Sequence, residues 1–247
     1  MKYASIILVH YSLVDDFGGK KARGSNNSRS RMIRDVISAI NKNTKYPAEL
    51  IVIDNGGNPD DSDYLLGLAR KGIINVYVRN KENMHYAFAN NQGARIATGH
   101  YLCFMCNDVL VKPGWLSKCV EMLEENPDRK LTATPFISSH KQKKYNTQKI
   151  GENRLNPLAG SNCMVMDRKT FKDLGDFYVY GNYGNKWYRD KFGKGYKSIA
   201  PSEDLAVHLG HRGGLNWKIK VKIVKTLLNK KEINFDETIN NKKSTDV

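Results

Sequence analysis

The stretch that decides the fold runs Asn83-Met84-His85-Tyr86-Ala87-Phe88-Ala89-Asn90-Asn91-Gln92-Gly93, then Ala97-Thr98-Gly99-His100-Tyr101, then Cys106-Asn107-Asp108-Val109, then Pro113-Gly114-Trp115-Leu116. An amide-rich start feeds a helix over 86–98, and Gly99 stops it. A buried strand over 101–105 follows. It ends on polar Cys106-Asn107-Asp108 before a Pro-Gly turn. In open α/β sheets ligands sit beyond the carboxyl ends of strands. An Asp placed there can hold a divalent cation against a diphosphate, because hard cations take oxygen ligands.

Upstream, Ser5-Ile6-Ile7-Leu8-Val9-His10 has the composition of a buried parallel strand. Residues 12–30 have no period and carry Lys20, Lys21, Arg23 and Arg29, which predicts a long basic loop. Met32, Ile33, Val36, Ile37 and Ile40 recur at helical spacing. Leu50 to Asp54 is a second strand closed by Asn55-Gly56-Gly57, Tyr64, Leu65 and Leu68 mark a short helix, and Ile73 to Val78 is a third strand. Downstream, Trp115, Leu116, Cys119, Val120 and Leu123 form a helix face that ends at Asn126-Pro127. Strands and helices alternating at this length predict an α/β domain: a mostly parallel sheet flanked by helices.

The part from about Leu131 is less regular. Residues 138–154 are polar and basic and predict a mobile loop. Ala159 to Met166 reads as a strand with a glycine-rich start, and 178–197 is rich in glycine and aromatic residues without a period. From Trp217 one spacing supports a strand and another a helix. We expect one domain over 1–235, divided near 130, and a polar tail over 236–247.

The 247 residues suffice for a full core. No apolar run approaches the ~18 residues of a membrane span. Met1-Lys2-Tyr3 leads directly into a strand-like run, so the expectation is a cytoplasmic protein without a leader, or one in the host cytoplasm if the source is viral. Cys103 and Cys106 form a C-x-x-C, but a three-residue offset on a strand turns the two side chains to opposite faces. Reduced thiols are the simpler account of all four cysteines. The net charge of +15 attracts anions: diphosphates, nucleic acid or the surface of an acidic membrane. A lysine-rich solvated surface is the alternative.

Together the quoted motifs resemble the glycosyltransferase A fold of family-2-like enzymes, which use nucleotide-sugar donors. The family pattern runs N-x-G-[FY]-[AS]-x-A-x-N-x-G, A-x-G-x-[YF], an aspartate motif D-x-D or N-x-D, then P-G-W-[LI]. Here His85 stands where Gly is usual, and Cys106 where the first Asp or Asn of the aspartate motif is usual. The resemblance covers roughly residues 4–215 and makes the part up to about 130 the sugar-donor half, with the acceptor half after it. It implies sugar-donor contacts from His10, Ser12, Asp54, Asn83, Asn90, Cys106, Asn107 and Asp108. It implies Mn2+ or Mg2+ at Asp108. It also implies that Glu203-Asp204 opens a helix and presents the catalytic base, Asp204.

Other readings of these residues stay open. Asp54 can be a turn former and Asn83 a helix cap. Asp204, His208 and His211 fall at i, i+4 and i+7, one face of a helix, and make the two histidines candidate metal ligands. Acids near a helix start also stabilise its dipole. The implied reaction moves a sugar from a UDP-, dTDP- or GDP-sugar to an acceptor hydroxyl with inversion. The base takes the acceptor proton, and positive charge holds the leaving diphosphate. The stretches 138–154 and 178–197 are the expected acceptor walls, with Tyr178, Tyr180, Tyr183, Trp187 and Tyr188 available for stacking. A saccharide or glycoconjugate acceptor is the first expectation. DNA carrying a hydroxymethylated base, as in viral DNA modification, is the second, because of the charge. A non-catalytic basic nucleic-acid-binding module is the third.

Overall fold

The computed structural model describes residues 2–12, 26–136, 148–156, 162–177, 187, 190–191 and 193–209, with backbone alone at 26–31 and 156. The chain alternates strands and helices through its first half. These are β1 (Ala4–His10), α1 (Asn26–Asn43), β2 (Ala48–Asp54), α2 (Pro59–Arg70), β3 (Val76–Arg79), α3 (Tyr86–Ile96), β4 (Tyr101–Cys106), β5 (Val109–Val111) and α4 (Trp115–Glu124). The second half adds β6 (Leu131–Ala133), β7 (Gln148–Ile150), β8 (Asn153–Asn156), β9 (Cys163–Asp167), α5 (Arg168–Leu174), β10 (Lys197–Ala200) and β11 (Ala206–His208). No described helix is long and apolar enough to cross a membrane.

One sheet runs through both halves in the order β3-β2-β1-β4-β9-β6-β10-β8-β7. β3, β2, β1 and β4 are parallel throughout. β9 runs antiparallel to β4 and carries the sheet into its mixed half. β5 and β11 form a separate antiparallel pair.

Side-chain alternation explains why the sheet is covered on both faces. Ile6 and Leu8 of β1, Leu50 and Val52 of β2, and Cys103 and Met105 of β4 pack with α1, α4 and Leu65 of α2. Ile7 and Val9, Ile51 and Ile53, and Leu102 and Phe104 pack on the other face with α3 and α5. Each fully buried aliphatic or phenyl side chain contributes roughly 1.5–3 kcal/mol. Local signals set the helix ends. Asn58 caps α2 by accepting from Asp61 N at 3.0 Å, and Pro59 occupies its first turn.

Several expectations change. α1 starts at Asn26, inside the stretch expected to be a loop, so the basic residues 20–23 precede the helix and Arg29 lies within it. Residues 148–154 are not a loop: β7 and β8 form an antiparallel hairpin that extends the sheet beside β10. β10 lies at the end of a stretch that showed no period. Its neighbourhood is tied by the buried Lys191, whose Nζ donates to Thr132 Oγ1 and Ser198 Oγ, both at 2.7 Å. Burial lowers that amine to about 7. Residues 13–25 of the loop expected over 12–30, residues 138–147 and the segment from Trp217 to the tail lie outside the described residues.

Gly93 is where α3 meets β1. A methyl group there would overlap Ile7 Cγ2, whereas one at Gly67 of α2 would meet nothing within 4 Å. Helix propensity favours Ala over Gly by about 0.8–1 kcal/mol at both positions, and overpacking costs about 1–3 kcal/mol at the first. Gly93→Ala is therefore expected to lower the urea midpoint and Gly67→Ala to raise it, each with an unchanged m-value. A Gly93→Ala protein at least as stable as wild type would refute this packing.

Candidate active site

A cleft of about 250 Å³ opens beyond the carboxyl ends of the parallel strands. Val9 lies near the end of β1 and Tyr11 just follows it, Asn55 follows β2, Cys106 ends β4, and Asn107 and Asp108 follow β4. Asn83 and Tyr86 come from the start of α3, Met32 from α1, and Asn162 and His208 from the second half. β1 connects onward to β2 on one side while β4 lies on its other side, so the cleft occupies the crevice where strand order reverses.

Asp108 and His208 form one wall. His208 Nε2 lies 3.1 Å from Asp108 Oδ2, and Asn162 Nδ2 lies 3.2 Å from His208 Nδ1. Each Asn162 amide hydrogen can only donate, so Nδ1 accepts and the Nε2 proton points at Asp108. Phe136 stacks on the imidazole with ring centroids 6.5 Å apart. Leu209 N donates to Asp108 O at 2.8 Å, which closes the β5–β11 ladder. Asp108 Oδ1 is buried and has no hydrogen-bond partner among the described residues. A desolvated carboxylate oxygen is costly unless something positive meets it, so this oxygen suits a divalent cation. No group of three or more His, Cys, Asp or Glu able to hold a metal occurs among the described residues. Such a cation would rely on phosphate oxygens and water for its other ligands, as Mg2+ commonly does. His208 Nε2 could join it only after its proton moves to Nδ1. His211 lies outside the described residues.

Cys106 does not replace the missing acid. Its Sγ lies 3.2 Å from the Tyr86 hydroxyl and 3.8 Å from Asn162 Oδ1. Burial, and then the charge of Asp108, push the thiol up to about 12, so it stays protonated. Cys103 lies elsewhere, 3.9 Å from Cys163 Sγ in the core.

The remaining expected sugar-donor residues divide into two groups. Asn107 and Asn83 line the cleft. Asn83 Oδ1 accepts from Asn55 Nδ2 and from His85 N, both at 3.0 Å. His10, Ser12, Asp54 and Asn90 lie behind the cleft and are fully buried. Asp54 Oδ1 accepts from Gly57 N at 2.9 Å, and Oδ2 from Ser62 Oγ at 2.5 Å and Tyr77 Oη at 2.8 Å. Its carboxylate thus ties β2 to α2 and β3, and Asp54 is not among the residues that line the cleft. Asn90 Nδ2 donates to Tyr86 O at 2.9 Å within α3, while its buried Oδ1 has no hydrogen-bond partner among the described residues. The sequence reading overlooked Asn55, Tyr86, Asn162 and Asp61. Asn55 follows a strand-end Asp and was a findable signal; Asn162 had none.

Glu203 and Asp204 do not open a helix. They precede β11, which pairs with β5 through Ala206↔Val111 and His208↔Val109. An extended segment advances about 3.3 Å per residue, so Asp204 and His208 sit at opposite ends of the ladder instead of one turn apart. Asp204 Oδ1 pairs with Arg154 at 2.7 Å, and its carbonyl accepts from Lys112 Nζ at 2.7 Å. Glu203 is exposed. Trp187 is no acceptor wall: it is buried against Phe177 with ring centroids 4.6 Å apart. Tyr178, Tyr180, Tyr183 and Tyr188 lie outside the described residues.

Comparison with known proteins agrees with this geometry. A crystal structure of GalNAc-T7 with UDP, GalNAc and Mn2+ superposes with a TM-score of 0.63 at 16% identity, covering 89% of this chain and 46% of that one. A Putative polypeptide N-acetylgalactosaminyltransferase 13 of Drosophila melanogaster is 29% identical over 128 residues, 45% of this chain and 21% of that protein. A Hyaluronan synthase of Pasteurella multocida is 34% identical over 90 residues, 36% of this chain and 9% of that protein. The matched segments span about a fifth of the first curated relative and about a tenth of the second. Residues 26–189, well over half of the sequence, match the family described as Glycosyl transferase family 2. On that match, the chain belongs to glycosyl transferase family 2.

Proposed function

We propose that the chain transfers a sugar from a nucleoside-diphosphate sugar, with UDP as the first candidate, to an acceptor hydroxyl. The observation that carries this reading is Asp108, which follows β4 in the crossover crevice with one carboxylate oxygen buried and unpartnered among the described residues. The UDP and Mn2+ of the GalNAc-T7 crystal support a uridine donor and a divalent cation. When bound, Mn2+ or Mg2+ offsets the charge on the leaving diphosphate. Asp108 Oδ1 and, after its proton shift, His208 Nε2 are the side-chain atoms that would hold it.

The acceptor oxygen bonds to the anomeric carbon, the bond from that carbon to the diphosphate oxygen breaks, and its electron pair leaves with the diphosphate. In this reading Asp204 takes the acceptor proton, and attack opposite the leaving group gives inversion. Its support is the Glu203-Asp204 pair that the family resemblance assigns to the base and the partial exposure of the Asp204 carboxylate, which lies outside the cleft lining and is paired with Arg154. The names of the relatives, a hyaluronan synthase and a polypeptide N-acetylgalactosaminyltransferase, support a saccharide or glycoconjugate acceptor. The net charge of +15 favours a second reading, transfer to DNA.

Asp108→Asn is expected to abolish the Mn2+-dependent gain in UDP affinity, measured by calorimetry with and without chelator, while leaving the melting curve near wild type. Equal metal dependence in variant and wild type would sink the cation site. Asp204→Asn is expected to cut transfer by ~10² to 10⁴ with UDP affinity unchanged. Wild-type turnover would remove Asp204 as the base, and a loss confined to thermal stability would leave it only as the partner of Arg154.

A salt titration separates the acceptors. Binding to a duplex is expected to fall steeply with salt if DNA is the substrate, because counterions are released on binding. A flat curve, or no duplex binding at low salt, excludes DNA. A positive result requires sugar found on the nucleic acid by mass and lost in Asp204→Asn.

A further inference from the structure

Asn107 occupies the middle position of Cys106-Asn107-Asp108, and its side chain is fixed from behind. Its Nδ2 lies 3.0 Å from His10 Nδ1 and 3.5 Å from the Tyr11 carbonyl oxygen. The carbonyl can only accept, so the amide nitrogen must face this side and the His10 Nδ1 must be unprotonated. The far side of the ring gives the same answer. His10 Nε2 lies 3.1 Å from Asp61 Oδ2, a carboxylate oxygen that also receives Ser12 Oγ at 2.7 Å and Asn58 Nδ2 at 3.0 Å. The ring therefore carries its proton on Nε2 and donates it to Asp61.

His10 and Asp61 have side-chain exposures of 0% and 1%, so water cannot loosen this arrangement. Asn107 is half-buried and lines the cleft. With both amide hydrogens directed at the protein, its Oδ1 has no partner among the described residues. Beside it, Cys106 supplies a protonated thiol bonded to Tyr86, a poor acceptor for a hydroxyl.

We propose that Asp61 and His10 are positioning residues that lock Asn107 with its amide oxygen toward the cleft, and that this oxygen accepts a hydrogen bond from a ribose hydroxyl of the nucleotide. The inference rests on the nucleotide-sugar reading above and adds a selectivity to it: a ribonucleotide is favoured over its deoxy analogues. Neutral hydrogen bonds of this kind are worth about 3- to 10-fold in affinity.

The test measures affinity for UDP, 2′-deoxy-UDP and 3′-deoxy-UDP with Mn2+ present, by calorimetry on the full chain. Wild type is expected to favour UDP about 3- to 10-fold over at least one deoxy analogue. Asn107→Ala is expected to bring UDP down to the level of that analogue and leave the analogue's affinity unchanged. Asp61→Leu removes the carboxylate that accepts the His10 Nε2 proton, so the ring is no longer held in the tautomer that accepts from Asn107, and Asn107 is free to turn over. It should erase the same preference with residue 107 intact. His10→Phe, which removes the acceptor for the amide, gives an independent check if Asp61→Leu fails to fold. A merely structural role would weaken all three nucleotides together. UDP binding in wild type with no preference, or a preference that survives Asn107→Ala, would overturn the inference alone. No UDP binding in wild type would overturn it together with the nucleotide-sugar reading.

Discussion

β1 is buried at all seven of its positions and hydrogen-bonded to a parallel neighbour along each edge. A strand enclosed on both faces and both edges has no room for unpaired polar groups along its length. The loop that follows it is the first place where the chain can present polar chemistry to solvent. The same holds for β2 and β4, its neighbours. The cleft is a consequence of this enclosure: three buried strands end side by side, and their polar residues collect there.

Enclosure also decides which of those polar residues can serve a ligand. The ends of β1 and β2 are still covered by α2, so His10, Ser12 and Asp54 are sealed and must satisfy one another and their neighbours. They do so through Asp61, Ser62, Asn58 and Tyr77. The end of β4 is uncovered, and Asn107 and Asp108 retain acceptor oxygens without protein partners among the described residues. A residue at a strand end thus acts on a ligand directly or through the residue in front of it, depending on whether a helix start lies over it.

Much of this was legible from sequence. The continuous apolar runs at 5–9 and 50–53 and the chain from Asn83 to Leu116 gave the parallel block and its crossover, because strands buried on both faces leave an unmistakable composition. Side-chain direction was not legible. Nothing in Asp54-Asn55-Gly56 reveals that Tyr77 and Ser62 will claim the carboxylate, since those partners come from other elements. The segment 203–211 misled for a different reason. Its acid and histidines have helical spacing, but β5 offers an open edge with a matching three-residue register, and pairing across 95 residues overrode local preference. Asn162 was invisible because its importance lies wholly in what it touches.

The contact between Asp108 and His208 joins residues 100 positions apart, and β6 to β10 lie between them in the chain. Closing so long a loop is entropically unfavourable until the intervening strands have docked. The two sides of the cleft therefore belong to different stages of assembly. The parallel block can form from the chain up to β4, whereas the histidine side arrives with β11, after the mixed half of the sheet is in place. A molecule that touches both sides would bind only the completed fold. It would act as a clasp on the last strand to arrive, and the final step of folding would also be the step that creates the site.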